Sequence, residues 1–232
     1  MLTVVVDEHT IAGRFFAKAS SIWHQSHEHP FLRGMADGTL DEEKFKFYIC
    51  QDYLFLIEYA RLYGLAAVKA PDLVTMEKFA ALMHATLHEE MEHHRKYGEK
   101  IGITREQMEQ TEPSSVTLAY SGFMLQSAFK GSLAHVLAVL LPCTWSYWEM
   151  GKSLASQAQS LAHPHYREWI LLYSCDEFGQ LALMLIDELN RVCSGLSESE
   201  LKELETLFVR SSKFEWQFWE MAWQGTMWGV DQ

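Results

Sequence analysis

The stretch FKFYICQDYLFLIEYARLYGLA, residues 45–66, decides the fold class, because its apolar residues recur every three or four positions. We predict a long helix from Asp41 to about Lys69, ending just before Pro71. Asp52 lies in the middle of the apolar face, where a carboxylate must be paired or hydrogen-bonded because burying it alone is costly. That face comprises Phe45, Tyr48, Asp52, Phe55, Tyr59, Leu62 and Ala66.

The rest of the chain carries the same pattern, and we predict seven or eight helices in all. Residues 33–40 (RGMADGTL) are predicted to form a turn, and Pro142 to kink the helix that contains it. Thr104-x-x-Gln107 and Ser197-x-x-Glu200 are capping boxes, which mark helix starts. Besides the short helix after Thr104, the other helices are predicted at about residues 7–27, 74–100, 113–129, 132–158, 164–192 and 197–227.

The composition favours long helices packed around a sizeable core. Of the 232 residues 48% are hydrophobic, whereas only 5 are proline and 13 glycine, too few for many short strands with tight turns. We find no linker, low-complexity stretch or repeat. We therefore predict one all-α domain over residues 1–232.

The charge balance argues against two classes of partner. Lys and Arg total 19 against 31 Asp and Glu, a formal net charge of -12, and an acidic surface repels phosphate backbones and anionic lipid. No apolar run approaches the roughly 18 residues of a membrane span. The start, MLTVVVDEHT, lacks the basic region of a secretory signal. We expect a cytoplasmic protein that binds neither nucleic acid nor membrane.

The cysteines do not indicate a disulfide framework. There are four, Cys50, Cys143, Cys175 and Cys193, and none forms a CxxC pair. In a cytosolic protein they should be reduced thiols. For the same reason we expect no structural zinc.

Two further helices carry a reactive residue within an apolar face. Glu215 interrupts the face of the last helix, and burial raises the pKa of a glutamate, which suits a general acid. We expect a buried Cys143 directly after Pro142, on a face that also carries Tyr147. Each residue could instead be structural: a cysteine as a small core residue, a carboxylate as a hydrogen-bonding group. Together with Asp52, the three could converge on one pocket.

A cluster of histidines and glutamates offers a different reading. His84, His88, Glu90, His93 and His94 crowd one predicted helix, and Glu90-x-x-His93 has the spacing used in di-iron carboxylate bundles. Such a site needs a matching motif elsewhere, and Asp176 and Glu177 have no histidine three or four residues away. The alternatives are a solvated charged face or a di-iron oxidase.

The ordered motifs resemble those of the TenA/thiaminase II family over most of the chain. They are His29-Pro30-Phe31, Asp37-Gly38-Thr39-Leu40, Phe45-x-x-Tyr48-x-x-Gln51-Asp52, Tyr59-Ala60-Arg61, Lys69-Ala70, Glu90-x-x-x-His94, Gly102-Ile103, Tyr120, Pro142-Cys143-x-Trp145-x-Tyr147, Trp169-Ile170-x-x-Tyr173, Phe178 and Glu215-x-x-Phe218-Trp219-x-x-Ala222.

This resemblance implies a heme-oxygenase-like helical bundle, a homotetramer and no cofactor. It also implies hydrolysis of 4-amino-5-aminomethyl-2-methylpyrimidine to the hydroxymethylpyrimidine, a step of thiamin salvage, with thiamin cleavage as a related activity. Cys143 places the chain with the cysteine-containing members. A pyrimidine-binding protein without catalysis stays open as an alternative.

The resemblance assigns roles to individual residues. Cys143 is the expected nucleophile, Asp52 the group that grips the amino group and ring nitrogen, and Glu215 the acid that protonates the leaving amine. Glu90 and His94 are expected to tie two helices together. The remaining expected substrate contacts are the hydroxyls of Tyr120, Tyr147 and Tyr173 and the aromatic walls Phe55 and Phe218. Phe55 stands where several members have tyrosine, which removes one hydroxyl from the site.

Overall fold

The computed structural model describes residues 7–229, and over that range it contains eleven α-helices, one π-helical turn and no strand. The all-α prediction is confirmed. Residues 1–6, on which the expectation about a secretory signal partly rests, lie outside the described part. The helices are α1 (Ile11–His27), α2 (Pro30–Asp37), α3 (Glu42–Val68), α4 (Leu73–Ala85), α5 (Met91–Lys100), α6 (Arg105–Glu109), α7 (Ser115–Lys130), α8 (Leu133–Ala155), α9 (Pro164–Ser174), α10 (Asp176–Cys193) and α11 (Glu198–Gln224), and the π-helical turn is Thr86–Glu90.

The helices form two compact units. The first comprises residues 7–40 and Leu137–Trp216, and in it α1 packs against α2 and α10, and α9 against α10. The second comprises Asp41–Val136 and residues 217–229, and in it α3 packs against α4, α5, α6 and α7. Helices α8 and α11 each contribute residues to both units. One domain over residues 1–232 stays a prediction.

Helix α3 is the centre of the second unit and follows the sequence pattern closely. Asp41 caps it by accepting a hydrogen bond from the amide of Glu43, and Glu42 and Glu43 in the first turn favour the helix dipole. All seven residues of the predicted apolar face, Asp52 included, are buried. The helix predicted from Asp41 to Lys69 is therefore confirmed within one residue at each end.

The turn predicted over residues 33–40 is wrong for its first five residues, which belong to α2. His29 caps this helix by accepting from the amide of Phe31, and Pro30 fits its first turn because the missing N–H has no intrahelical partner. Gly38, at φ 76°, ends it in the left-handed conformation. Local capping therefore outweighs the turn-forming composition.

The helix predicted over residues 74–100 is interrupted by the π-helical turn at Thr86–Glu90. A π turn accommodates one residue more than an α turn, so it changes which residues of the following α5 face α3. Among them is His94, which is buried.

The helix predicted over residues 164–192 is likewise two helices, bent by 43° at Cys175. Cys175 has an extended backbone and its Sγ accepts a 3.4 Å hydrogen bond from the amide of Phe178, so it acts as the N-cap of α10. Because of the breaks at Thr86–Glu90 and at Cys175, and because of the additional helix α2, the described residues contain more helices than the predicted seven or eight. Within residues 7–229 no single helix is long and apolar enough to cross a membrane, and α9 with α10 meets the criterion only as a bent pair.

Candidate active site

The predicted site residues are divided between the two units. Cys143, Tyr147, Tyr173 and Glu215 belong to the first. Asp52, Phe55, Tyr120 and Phe218 belong to the second.

In the first unit, Cys143 lies on α8 directly after Pro142 and is half-buried. The expectation of a buried Cys143 is therefore wrong, because the fold covers the flanking Pro142 and Thr144 but leaves part of Cys143 exposed. Partial exposure is a condition for a reactive thiol, which a substrate must be able to reach. By contrast, burial raises the pKa of Cys193 to about 11, as expected for an inert thiol.

Glu215 is buried on α11, one helical turn after Ser211. The Ser211 hydroxyl donates a 2.6 Å hydrogen bond to the carbonyl oxygen of Val139, which lies one turn before Cys143 on α8. The turn that precedes the expected acid is thus bonded to the turn that precedes the expected nucleophile.

Two of the predicted tyrosines are neighbours in this unit. The rings of Tyr147 and Tyr173 are 4.9 Å apart and meet edge to face at 72°. Gly151, one turn after Tyr147, permits close contact between α8 and the end of α9, because a Cβ there would lie 2.6 Å from the carbonyl carbon of Tyr173. The aromatic pair therefore depends on a glycine in the middle of a helix.

In the second unit, Asp52 is buried on α3 and pairs with His94 of α5. His94 Nε2 lies 2.8 Å from Asp52 Oδ2, and both side chains are almost fully inaccessible. The requirement that a buried carboxylate be partnered is met by this histidine.

Phe55, about one helical turn after Asp52 on α3, forms an aromatic cluster with Tyr120 and Phe218. The Phe55 ring is 4.9 Å from that of Tyr120 and 5.6 Å from that of Phe218, distances at which tilted aromatic pairs are favourable. The predicted walls Phe55 and Phe218 therefore come together, and Tyr120 joins them.

Gln51 fixes the helix that carries Tyr120. Its Oε1 accepts from the Ser114 amide at 2.9 Å and from the Thr117 hydroxyl at 2.7 Å. Its Nε2 donates to the Glu112 carbonyl at 2.9 Å. These bonds hold the start of α7 against α3, and Tyr120 follows Thr117 by one turn.

A family model described as the TENA/THI-4/PQQC family matches residues 16–225 of this chain. The chain belongs to the TENA/THI-4/PQQC family. The resemblance inferred from the sequence motifs is thereby confirmed.

Relatives of this family are similar along nearly their whole length. A protein from Halalkalibacterium halodurans, named aminopyrimidine aminohydrolase, is 46% identical over 96% of this chain and 99% of its own. One of the same name from Helicobacter pylori is 37% identical over 92% of this chain and 99% of its own. A third, from Bacillus subtilis, is 34% identical over 90% of this chain and 88% of its own.

Solved structures similar to this chain have the same fold. A TenA homologue from P. horikoshii superposes with a TM-score of 0.86 at 33% identity, covering 93% of this chain and 99% of its own. A domain with a heme oxygenase-like fold from Shewanella denitrificans, at 15% identity, superposes with a TM-score of 0.76 over 96% of this chain and 94% of its own. The predicted heme-oxygenase-like fold is confirmed.

Two residues of this family member make contacts that motif spacing did not indicate. Gln51 was part of a motif, yet its bonds to α7 could not be inferred from spacing. His94 does tie α5 to α3, as predicted, but it does so through the expected substrate-binding carboxylate.

The histidine-rich segment, for which a di-iron oxidase was the alternative to a solvated charged face, does not assemble a di-iron arrangement within the described residues. His94 turns toward Asp52, whereas His84 and His88 are exposed with ring centroids 4.3 Å apart. Among residues 7–229, no group of three or more His, Cys, Asp or Glu side chains is placed to hold a metal ion.

Proposed function

We propose that this chain is an aminopyrimidine aminohydrolase that converts 4-amino-5-aminomethyl-2-methylpyrimidine and water to the hydroxymethylpyrimidine and ammonia, with thiamin cleavage as a related activity. The observation that carries the proposal is the 46% identity, over 96% of the chain, to a relative with that name. The half-buried Cys143 and the buried Asp52 and Glu215 are the residue types that the reaction needs.

The reaction begins with addition of the Cys143 thiolate to the ring carbon beside the one that bears the aminomethyl group. Asp52 holds the ring by its amino group and the adjacent nitrogen, and the aromatic cluster of Phe55, Tyr120 and Phe218 packs against its face. The electron pair of the broken ring π bond then expels the amine, which Glu215 protonates, and ammonia leaves.

Water completes the reaction. Glu215, now a carboxylate, takes a proton from water, and the oxygen adds to the exocyclic methylene carbon. The electron pair returns to the ring, the carbon–sulfur bond breaks, and Cys143 leaves as a thiolate. The hydroxyls of Tyr147 and Tyr173 hydrogen-bond to the ring nitrogens or to Glu215 during these steps.

Replacing the nucleophile tests the proposal. Cys143→Ala should abolish the release of ammonia and of hydroxymethylpyrimidine while leaving the melting temperature near that of the wild type. Cys50→Ala is the matched control, since Cys50 is also half-buried but lies in a cleft lined by Lys46, Gln107 and Thr111. Turnover by Cys143→Ala at the wild-type rate would refute the covalent mechanism. Binding of the aminopyrimidine by wild type without turnover would instead indicate a binding protein.

We further propose that the protein is a cytoplasmic homotetramer. Apolar side chains at one end of the second unit support the oligomer: Val68 is 79% exposed, Val74 68% and Phe129 75%. Lys69 donates to the carbonyl of Gly131 at 2.5 Å, which brings the end of α3 beside the end of α7. Large apolar side chains exposed near one another are typical of a subunit interface.

A further inference from the structure

The pairing of Asp52 with His94 has a consequence for substrate binding. Asp52 Oδ2 is engaged by His94 Nε2 at 2.8 Å in a buried environment, where hydrogen bonds between charged groups are strong. A hydrogen bond to one oxygen of a carboxylate fixes the orientation of the side chain. It therefore also fixes the position of the second oxygen, here Oδ1.

The geometry of the π-helical turn brings a second carboxyl group to this pair. Glu90 closes the turn and lies one helical turn before His94, and its side chain is hydrogen-bonded to Thr86. The pKa of Glu90 is raised to about 7, chiefly by burial; the charge of His94 opposes this rise and the charge of Asp52 contributes to it. The group thus consists of the buried Asp52 and His94 and the half-buried carboxyl of Glu90.

We propose that His94 is a positioning residue for Asp52. It holds Oδ2, carries the proton of the pair and keeps Asp52 anionic, so that Oδ1 is presented to the amino group of the aminopyrimidine. This inference rests on the proposed function, in which Asp52 binds the substrate. It adds a residue, a protonation state and an orientation to that site.

The charges around His94 support this assignment. Burial alone lowers the pKa of His94, but the hydrogen bond and charge of Asp52, with the charge of Glu90, outweigh it and raise the pKa above the ordinary 6.5. The next charged residues on α5 are engaged elsewhere: Arg95 binds Glu92 at 2.8 Å and the Tyr53 hydroxyl at 3.4 Å. Arg95 is therefore not a competing partner of Asp52, and the hydrogen bond from His94 is the one that orients this carboxylate.

An anionic Asp52 has a chemical advantage for the reaction. It accepts hydrogen bonds from the exocyclic amino group and from the adjacent ring N–H of an aminopyrimidine that binds in its protonated, pyrimidinium form. A protonated ring is a better acceptor for the electron pair of the Cys143 thiolate. Loss of His94 should therefore weaken binding and also slow the addition step.

Kinetics of a double-mutant cycle test this coupling. His94→Gln should lower kcat/KM roughly 10- to 100-fold, the range typical when a partner that orients a functional side chain is lost. His94→Leu, which cannot donate a hydrogen bond, should lose more. In an Asp52→Asn background, His94→Gln should cause no further loss, because residues that act as a unit are non-additive. His93→Gln, at the exposed neighbouring histidine, is the matched control.

A nuclear magnetic resonance titration gives a readout besides activity. The His94 imidazole should stay protonated above pH 6.5 in wild type and lose its proton at lower pH in Asp52→Asn. A wild-type His94 that is neutral at pH 6.5, or equal losses from His94→Gln in both backgrounds, would overturn the proposal. If wild type turns over no aminopyrimidine, the proposed function fails, while the titration still decides the His94–Asp52 pair. Should His94→Gln not fold, the titration of wild type and Asp52→Asn decides it alone.

Discussion

Ser211 donates a 2.6 Å hydrogen bond to the main-chain carbonyl of Val139, and through it one turn of α11 is joined to one turn of α8. Both groups are buried, so neither can exchange this bond for water. Glu215 follows Ser211, and Cys143 follows Val139, each by four residues. This bond therefore connects the segments that carry the expected acid and the expected nucleophile.

Ser211→Ala should lower both stability and activity. Without the hydroxyl, the Val139 carbonyl stays buried with one partner fewer, which costs about 1–3 kcal/mol. We also expect a lower kcat, because the two segments lose a fixed contact. Thermal denaturation and steady-state kinetics measure these effects. Ser127→Ala is the control, since Ser127 bonds to Phe123 of its own helix. Equal stability loss in both variants would contradict a special role for Ser211.

Gly151→Ala should destabilise the first unit. The new methyl group would lie 2.6 Å from the Tyr173 carbonyl carbon and 2.8 Å from the Ser174 nitrogen, both in the main chain, so the helices must separate. Overpacking of this kind costs about 1–3 kcal/mol.

Gly122→Ala is the matched control for that substitution. Nothing lies within 4 Å of its new methyl group, so alanine should stabilise α7 by up to about 1 kcal/mol. Chemical denaturation of both variants gives the comparison. An unchanged or raised stability of Gly151→Ala would show that the contact with Tyr173 is not close.

Glu90→Gln should reduce the pH dependence of stability. The folded protein raises the pKa of Glu90 from 4.5 to about 7, so it binds the proton more tightly than the unfolded chain does. This tighter proton binding contributes to the stability of the folded protein. The contribution to stability is fully present below about pH 4.5 and is lost as the pH rises through about 7. The pKa of His94 is also raised, so loss of its proton likewise lowers stability as the pH rises above 6.5.

The measurement is the melting temperature between about pH 5 and pH 8, the interval that brackets the pKa of Glu90. Wild type should lose more stability over this interval than Glu90→Gln does. Glu89→Gln, at an exposed neighbour, should follow the wild-type profile. Parallel profiles for wild type and Glu90→Gln would exclude Glu90 as the titrating group.

Val74→Glu and Phe129→Glu should dissociate the proposed tetramer. Each places a charge in the exposed apolar surface of the second unit, and burying an unpaired charge in an interface is unfavourable. Light scattering should show a fall from four chains to fewer. Leu171→Glu, at a 45% exposed leucine of the first unit, is the control. Tetramers that persist in both variants would place the interface elsewhere.

The sequence by itself determined the helical class, most helix boundaries and the apolar face of α3, because these depend on periodicity and on capping residues nearby in the chain. It also identified Asp52 as a carboxylate that needs a partner, and motif order indicated the family.

The tertiary structure decided which partner Asp52 has, because His94 is 42 residues away and faces α3 only after the π-helical turn. It likewise decided the break at Cys175, where a side chain caps a new helix inside an uninterrupted helical pattern. The Ser211–Val139 bond, at a separation of 72 residues, is a further contact that spacing cannot predict. Periodicity reports which face is buried, whereas the atoms that meet there depend on how distant helices pack.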